Sequence, residues 1–303
     1  MNWDDGRLFL AIARAGQMLS AAKMLGINQA TLSRRMVNFE KSLGVSLLIR
    51  KTNGCQLTDE GLELMRSLEI VETQYLQAQS ALKPESTETF GTLRIGTPDG
   101  FGVSFLAPQI HSLTKLHPRL KVQLVPVHRT FSLSRREADI AVAVGRPSTG
   151  RLVTQKLTDY SLSLYASKSY CAEHGVPHSV DVLTQHKLIS YVEDLLFSPD
   201  LDYADKFASN WKSSIEISTA TGQMEAVKAG AGIGILHDYL ASNIDDLILV
   251  LPQLRLTRSY WMVHHEDLRG IARINAGTAF LNEIVSRSRA SFVRQIQDDA
   301  ATN

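Results

Sequence analysis

The stretch that most constrains this chain runs from Arg14 to Lys51, RAGQMLSAAKMLGINQATLSRRMVNFEKSLGVSLLIRK. Small residues at Ala21 and Ala22 let a second helix pack close, and Gly26 permits the left-handed backbone of a tight turn. Leu25, Ile27, Leu32 and Met36 supply the apolar contacts between two short helices. Asn28 or Gln29 caps the second helix, which carries Gln29, Thr31, Ser33, Arg34 and Arg35 on its outer side. This is the layout of a helix-turn-helix whose second helix enters a major groove. There Gln pairs with adenine, Arg pairs with guanine, and Ser, Thr and Arg reach phosphate. The same residues also read as an ordinary helical hairpin with a solvated basic face.

Charge and the next ten residues separate the two readings. From Arg14 to Lys51, the cations Arg14, Lys23, Arg34, Arg35, Lys41, Arg50 and Lys51 stand against the single acid Glu40. The whole chain of 303 residues has a formal net charge of only +1, so positive charge is concentrated here. Gly44 breaks the helix, Val45 to Ile49 reads as a short strand, and Lys51-Thr52-Asn53-Gly54 as a hairpin turn. Gln56 and Leu57 begin the return strand. The product is a wing whose tip, with Arg50 and Lys51, lies beside DNA backbone or minor groove. Ser20, at the start of the first helix of the pair, joins Arg35, Arg50 and Lys51 as a phosphate contact.

Thr58 caps a long helix with Asp59 and Glu60 in its first turn, and Pro84 ends it. Leu64, Leu68, Val71, Tyr75, Ala78 and Leu82 recur at alternating spacings of four and three, which is an a/d seam. From Thr58 to Lys83 such a helix is about 39 Å long at 1.5 Å per residue. The seam is narrow and flanked by Glu63, Arg66, Glu69, Glu72, Gln74 and Gln77, so it reads as a dimerising linker more readily than as a helix packed on its own domain.

After the polar joint Pro84 to Phe90 the pattern changes to strands alternating with helices. Strands fall at Thr92–Gly96, Val122–Val127, Asp139–Val144, Ser161–Ala166, Lys187–Tyr191, Ile215–Ser218, Gly232–Leu236, Leu247–Leu251 and Tyr260–His264, with a helix from Phe101 to His117. The alternation implies an α/β domain with largely parallel sheets. Hydrophobic residues at 44% and charged residues at 21% are ordinary for a soluble protein of two or three domains. The acidic start MNWDDGR lacks a signal-peptide layout, and no apolar run approaches the ~18 residues of a membrane span. Cys55 and Cys171 lie far apart, which predicts free packing thiols, neither a disulfide nor a redox switch, in a cytoplasmic protein. Neither a metal-ligand cluster, a phosphate loop nor a nucleophile elbow is present, so no cofactor and no catalytic residue is expected.

Over essentially its full length the chain resembles the LysR-type transcriptional regulators. The residues that carry this are Phe9-Leu10, Ser20-Ala21-Ala22 with Leu25, Gln29-Ala30-Thr31-Leu32-Ser33-Arg34, Phe39-Glu40, Leu43-Gly44-Val45, Leu47, Arg50 and Leu57-Thr58-Asp59-Glu60-Gly61. Gly91 to Gly96, Arg136 to Ala141 and Gly230 to Gly234 extend the match. Gln17-Met18, Ala30 and Leu48 depart from the family pattern at packing or helix-entry positions.

The resemblance implies a multi-domain α/β chain. A winged helix-turn-helix covers residues 1–58, a linker helix and joint 59–89, and a periplasmic-binding-protein-like effector domain 90–303. Two subdomains, 91–163 with 268–303 and 164–267, would be joined by crossings near Leu162 and Glu266–Arg269, with a small-molecule effector between them. Strand ends nominate Thr97, Asp99, Gly100, Arg129, Arg146, Tyr191 and Thr221 as its contacts. Asp99 either recognises an amine, pairs with Arg129 or caps its own helix, while Arg129 and Arg146 suit an anion.

The implied partners are an inverted-repeat operator in double-stranded DNA, the effector, RNA polymerase for an activator, and further copies of the chain as a homodimer or a homotetramer. The implied location is the bacterial cytoplasm, at the nucleoid. A constitutive DNA-bridging repressor without effector, or an enzyme-like module with a DNA anchor, are the alternative functions.

Overall fold

A computed structural model describes residues 2–51, 54–81, 89–127, 138–147, 151–196, 201, 203–208 and 210–294. The chain divides into two compact units, the first built mainly on residues 1–87 and the second mainly on residues 88–303.

The first unit is a three-helix cluster with a hairpin and a long helix. Helix α1, Trp3–Ala15, is capped by Asn2, whose side chain accepts a hydrogen bond from Asp4 N at 3.0 Å. Helix α2, Met18–Leu25, ends at Gly26 with φ 68°, the left-handed turn expected there. Helix α3, Gln29–Leu43, is capped by Asn28, whose side chain accepts from Ala30 N at 2.8 Å. Asn28 is therefore the cap, and the Gln29 side chain is left for the surface. Leu8, Phe9, Ile12, Leu32 and Met36 are fully buried in one core, each worth about 1.5–3 kcal/mol of transfer free energy.

Strand β1 is Leu48–Lys51 and pairs antiparallel with β2, Gly54–Leu57, in the register Lys51↔Gly54. Thr52 and Asn53 lie outside the described residues. The strand begins later than the expected Val45 because the Glu40 carboxylate accepts the backbone N–H groups of Leu47 and Leu48 at 2.7 and 3.1 Å. Those donors are tied to α3 instead of to a ladder. Thr58 then caps helix α4, Asp59–Ala81, accepting from Gly61 N at 2.9 Å while donating to Ser46 O at 2.7 Å.

Among the described residues of the second unit nine strands form one hydrogen-bonded sheet: β3 Gly91–Pro98, β4 Leu120–Val127, β5 Ile140–Val144, β6 Leu152–Ser167, β7 Leu188–Ser190, β8 Ser213–Glu216, β9 Ile233–His237, β10 Leu247–Val250 and β11 Leu256–His265. The order is β4-β3-β5-β11-β6-β9-β7-β8, with β10 also on β6. The sheet is mixed, which corrects the expectation of a largely parallel one. Strands β4, β3 and β5 run parallel at one end and β9, β7 and β8 at the other, but β11, β6 and β10 join the ends antiparallel.

The 16 residues of β6 far exceed the expected Ser161–Ala166, because this strand passes through both halves. Its Leu162 pairs with Leu256 on one side and with His237 on the other. Strand β11 makes the return passage, and its pairing with β6 already starts at Leu256. The second crossing thus lies a strand earlier than the Glu266–Arg269 stretch expected for it.

The single helix expected from Phe101 to His117 is broken. A π-helical turn, Gly100–Leu106, leads through the 3-10 turn Ala107–Gln109 into helix α5, Ile110–Leu116. Pro108 has no N–H to give to a continuous α-helical ladder. The described residues of this unit also form helices α6 Lys168–His174, α7 Ala204–Phe207, α8 Ala220–Lys228, α9 Asp238–Ala241, α10 Ala272–Arg287 and α11 Arg289–Phe292. Helix α10 lies so close to the sheet that a Cβ at Gly277 would stand 2.7 Å from both Leu93 and Ile140 side chains.

Both cysteines are free, and burial pushes the Cys171 thiol up, away from reactivity. Among the described residues no helix is long and apolar enough to cross a membrane.

Candidate nucleic-acid interface and ligand cleft

On α3, Gln29, Thr31 and Arg34 are exposed, and none of them has an internal hydrogen bond or ion pair among the described residues. Half-buried Ser33 accepts a hydrogen bond through Oγ from Arg50 Nη1 at 3.2 Å. Arg50 and Lys51 are exposed on β1, so the fold brings the wing cations against the recognition helix. Ser20 is exposed on α2 and donates to Gln17 Oε1 at 3.3 Å.

Arg35 departs from its expected role as a phosphate contact. Its Nη1 donates to Asp4 Oδ2 at 2.6 Å and its Nε to Asp5 Oδ1 at 2.9 Å, with Nη2 also on Asp5. The Arg35 hydrogen bond, followed by that of Arg7, holds the Asp4 carboxyl below its ordinary range. Asp4 in turn leads the groups that raise the Arg35 guanidinium. Two acids neutralise this cation and tie α3 to the first turn of α1. Its partners lie some thirty residues away, so no local signal in the sequence marks the pairing.

Arg14 also leaves the basic set. Its guanidinium meets Glu72 through two bonds of 3.2 and 2.7 Å, with Glu69 at 3.6 Å, and so joins α1 to α4.

The α4 seam is divided. Leu68 is 1% exposed, in contact with the backbone position of Gly6, and Leu64 packs on the same intrachain core. Those two positions, expected in a dimer seam, are consumed within their own chain. Val71 and Tyr75 are 48% and 51% exposed, Ala78 is exposed, and the Tyr75 ring stands 6.0 Å from that of Trp3. Leu82 lies outside the described residues.

In the second unit, Thr97, Asp99 and Gly100 follow one another at the end of β3. Thr97 is fully buried with its hydroxyl against Gly102, and it has no partner among the described residues. Asp99 is buried and does not cap the π-helical turn it precedes. Its Oδ2 instead accepts from both the backbone N–H and the hydroxyl of Thr221, each at 3.0 Å. The capping chemistry weighed for Asp99 is present, but on α8, more than a hundred residues away. Gly100 stands beside it, where an added Cβ would come 3.2 Å from the Ala220 Cβ.

The Asp99, Gly100 and Thr221 positions are therefore brought together. Tyr191 is half-buried, with its ring 6.1 Å from that of Tyr203. The Arg146 guanidinium sits over the Trp261 ring at 5.4 Å, and Arg129 lies outside the described residues. A cavity of about 480 Å³ lies nearby, lined among others by Tyr191, Glu193, Tyr203, Trp211, Glu216 and Gln223.

Two buried clusters were not anticipated. Tyr160 and Tyr260 stack with ring centres 4.1 Å apart, Tyr160 also stacks on His237 at 5.2 Å, and Tyr239 and Tyr260 share a hydroxyl contact of 3.1 Å. Burial lowers the His237 imidazole to about 4, against the opposing pull of Asp99 and Asp238, so it is neutral in the folded chain. Beside it the buried Asp238 carboxylate accepts from Tyr165 Oη at 2.8 Å, from Ser163 Oγ at 3.1 Å and from Ser161 Oγ. Ser161, Ser163 and Tyr165 alternate along β6, and that period-two polar row on an otherwise apolar strand was the available signal.

Comparison with known proteins agrees with both units. Residues 3–62 match the model for bacterial regulatory helix-turn-helix proteins of the lysR family, and residues 86–285 match the LysR substrate binding domain. The HTH-type transcriptional regulator CrgA of Neisseria meningitidis is 25% identical over 244 residues, 80% of this chain and 81% of CrgA. The Mau operon transcriptional activator of Paracoccus denitrificans is 25% identical over 270 residues, 89% of this chain and 91% of the activator. In fold, the solved structure of CrgA matches with a TM-score of 0.59 at 24% identity, covering 93% of this chain and 98% of that one.

Proposed function

The chain belongs to the LysR family of bacterial helix-turn-helix regulators, and on that premise we propose that α3 and the wing read an inverted-repeat operator while residues 90–303 answer to a small-molecule effector. It is a DNA-binding transcriptional regulator and not an enzyme, as are the relatives it matches.

The observation that carries the operator reading is the surface of α3: Gln29, Thr31 and Arg34 exposed on a capped helix, with Arg50 of the wing bonded to Ser33. Gln29, Thr31, Ser33 and Arg34 are assigned to base edges or their immediate flank, and Ser20, Arg50 and Lys51 to phosphate. Arg35 is withdrawn from that set because Asp4 and Asp5 hold it.

The exposed part of the linker, Val71, Tyr75 and Ala78, is assigned to pairing of two chains, and the dimer to further pairing as a tetramer. Two recognition helices in one dimer then call for half-sites about one or more helical turns apart. Residues 1–58, 59–89 and 90–303 are taken as the reading head, linker and effector domain. The effector lies between subdomains at Thr97, Asp99, Gly100, Tyr191 and Thr221, with Arg129 and Arg146 at the margin. The protein works in the cytoplasm, at the nucleoid, and meets RNA polymerase where it activates.

Capture of genomic DNA by the purified full chain, followed by footprinting at the strongest site, tests the operator reading. A compact inverted repeat supports it, and diffuse protection with no shared sequence overturns it.

A further inference from the structure

The contact between Asp99 and Thr221 joins the end of β3 to the first turn of α8. Asp99 is only 9% exposed, yet no cation stands within ion-pair distance of it among the described residues. What holds its charge is the first turn of α8. The Thr221 N–H and hydroxyl both donate to Oδ2 at 3.0 Å, while the next free N–H, that of Gly222, is taken by Thr219 Oγ1 at 3.2 Å. The helix dipole adds favourably to a negative charge at this end. Around the contact the chain is tightly packed: a Cβ at Gly100 would meet Ala220 at 3.2 Å, Leu240 at 3.5 Å and His237 at 3.9 Å. A backbone N–H and a hydroxyl converging on one carboxylate oxygen at a helix start are the groups with which proteins take up small carboxylic acids. Here the acid is supplied by the chain.

We propose that Asp99 is a built-in ligand, which occupies the carboxylate seat formed by Thr221 and the first turn of α8 and keeps small carboxylic acids out of it. A second carboxylate brought to this seat meets Asp99 at close range and finds both Thr221 donors already engaged, so it gains neither hydrogen bond. The proposal deepens the effector reading of residues 90–303 and rests on it only for the consequence in DNA binding. It makes Asp99 the residue that decides which ligands this cleft refuses. Replacing Asp99 with a small side chain empties the seat and turns the protein into a binder of carboxylates.

Acetate is the direct probe, since it is the Asp side chain cut free of the backbone. The full-length chain and its Asp99→Ala variant are melted in rising sodium acetate and in sodium chloride of equal ionic strength. The expected result is a lower Tm for the variant in chloride, a saturable recovery in acetate, and no acetate effect on the parent. Acetate that leaves the variant unmoved, or that raises both proteins equally, overturns the proposal.

Asp99→Ser, which keeps a hydroxyl at the seat and leaves room for acetate, serves the same test where the alanine variant does not fold. Adding Thr221→Val to either variant removes the hydroxyl but keeps the N–H and should weaken the recovery; a recovery at unchanged acetate affinity places acetate elsewhere and also overturns it. Operator affinity measured in the same titration separates the two readings. A recovered Tm with unmoved operator affinity supports the built-in ligand and removes the link from this cleft to DNA binding.

Discussion

On α3 the polar side chains Gln29, Thr31 and Arg34 stand at the surface without internal partners among the described residues, open to a duplex. In the second unit, Asp99 beyond β3 is bonded to Thr221 on α8, and Asp238 on α9 to Ser161, Ser163 and Tyr165 within β6. One unit keeps its chemistry ready on a rigid, capped helix. The other engages several of its buried polar groups with one another, although the Thr97 hydroxyl has no partner among the described residues. The winged unit thus presents its polar groups outward, whereas the sheet unit spends several of its own on internal bonds.

The comparison is broken most forcefully at its buried supports. Leu68→Ala should destabilise the winged unit by roughly 3 kcal/mol, because Leu68 fills the intrachain core. The half-exposed Tyr75→Ala, which loses a ring contact with Trp3, should cost the monomer clearly less than Leu68→Ala does and should weaken self-association. Urea unfolding together with sedimentation checks both, and equal stability losses would return Leu68 to the dimer seam.

His237 sharpens the contrast through pH. Its imidazole titrates near 4 in the folded chain against 6.5 as the ordinary value, so the unfolded state takes up a proton first as pH falls. Stability from this group is therefore complete above pH 6.5 and declines towards pH 4, by up to about 3 kcal/mol. Melting the parent and His237→Gln across that window should give a smaller acid loss in the variant. Parallel curves would remove His237 as the cause.

Smaller effects belong to the DNA face. Gln29→Ala should relax the preference at a single base pair by about 1–3 kcal/mol, read from a panel of substituted operators. Arg50→Ala should weaken binding to every sequence and reduce the slope of log K against log salt by about one. Arg35→Ala should leave that slope unchanged and lower stability by less than about 1 kcal/mol, since its ion pairs with Asp4 and Asp5 are part-exposed. A slope that drops for Arg35→Ala would put this residue back on phosphate.

Local chemistry explains why the winged unit was legible and the rest less so. Gly26, Asn28, Gly44 and Thr58 act within a few residues of themselves, so turns and caps could be read from spacing alone. Arg35 and Arg14 could not, because their partners sit some thirty and fifty-eight residues away and nothing in the local pattern points to them. The same limit applies to Asp99: its type announced a cap, but only the fold shows that α8 is the helix it caps. Strands β6 and β11 were found as short pieces because polar and charged residues, Gln155, Lys156, Thr158 and Asp159 in β6 and Thr257, Arg258 and Ser259 in β11, interrupt the apolar pattern ahead of the piece that was read. Their full length reflects passage between two halves of one sheet, a non-local fact.

The most direct test of the central claim is the affinity of the full chain for its strongest captured site and for a shuffled duplex of equal length, at one salt concentration. The account predicts a preference of at least about a thousandfold for the captured site, lost at one base pair in Gln29→Ala. Equal affinity for the two duplexes would contradict it and leave α3 a basic surface without a reading role.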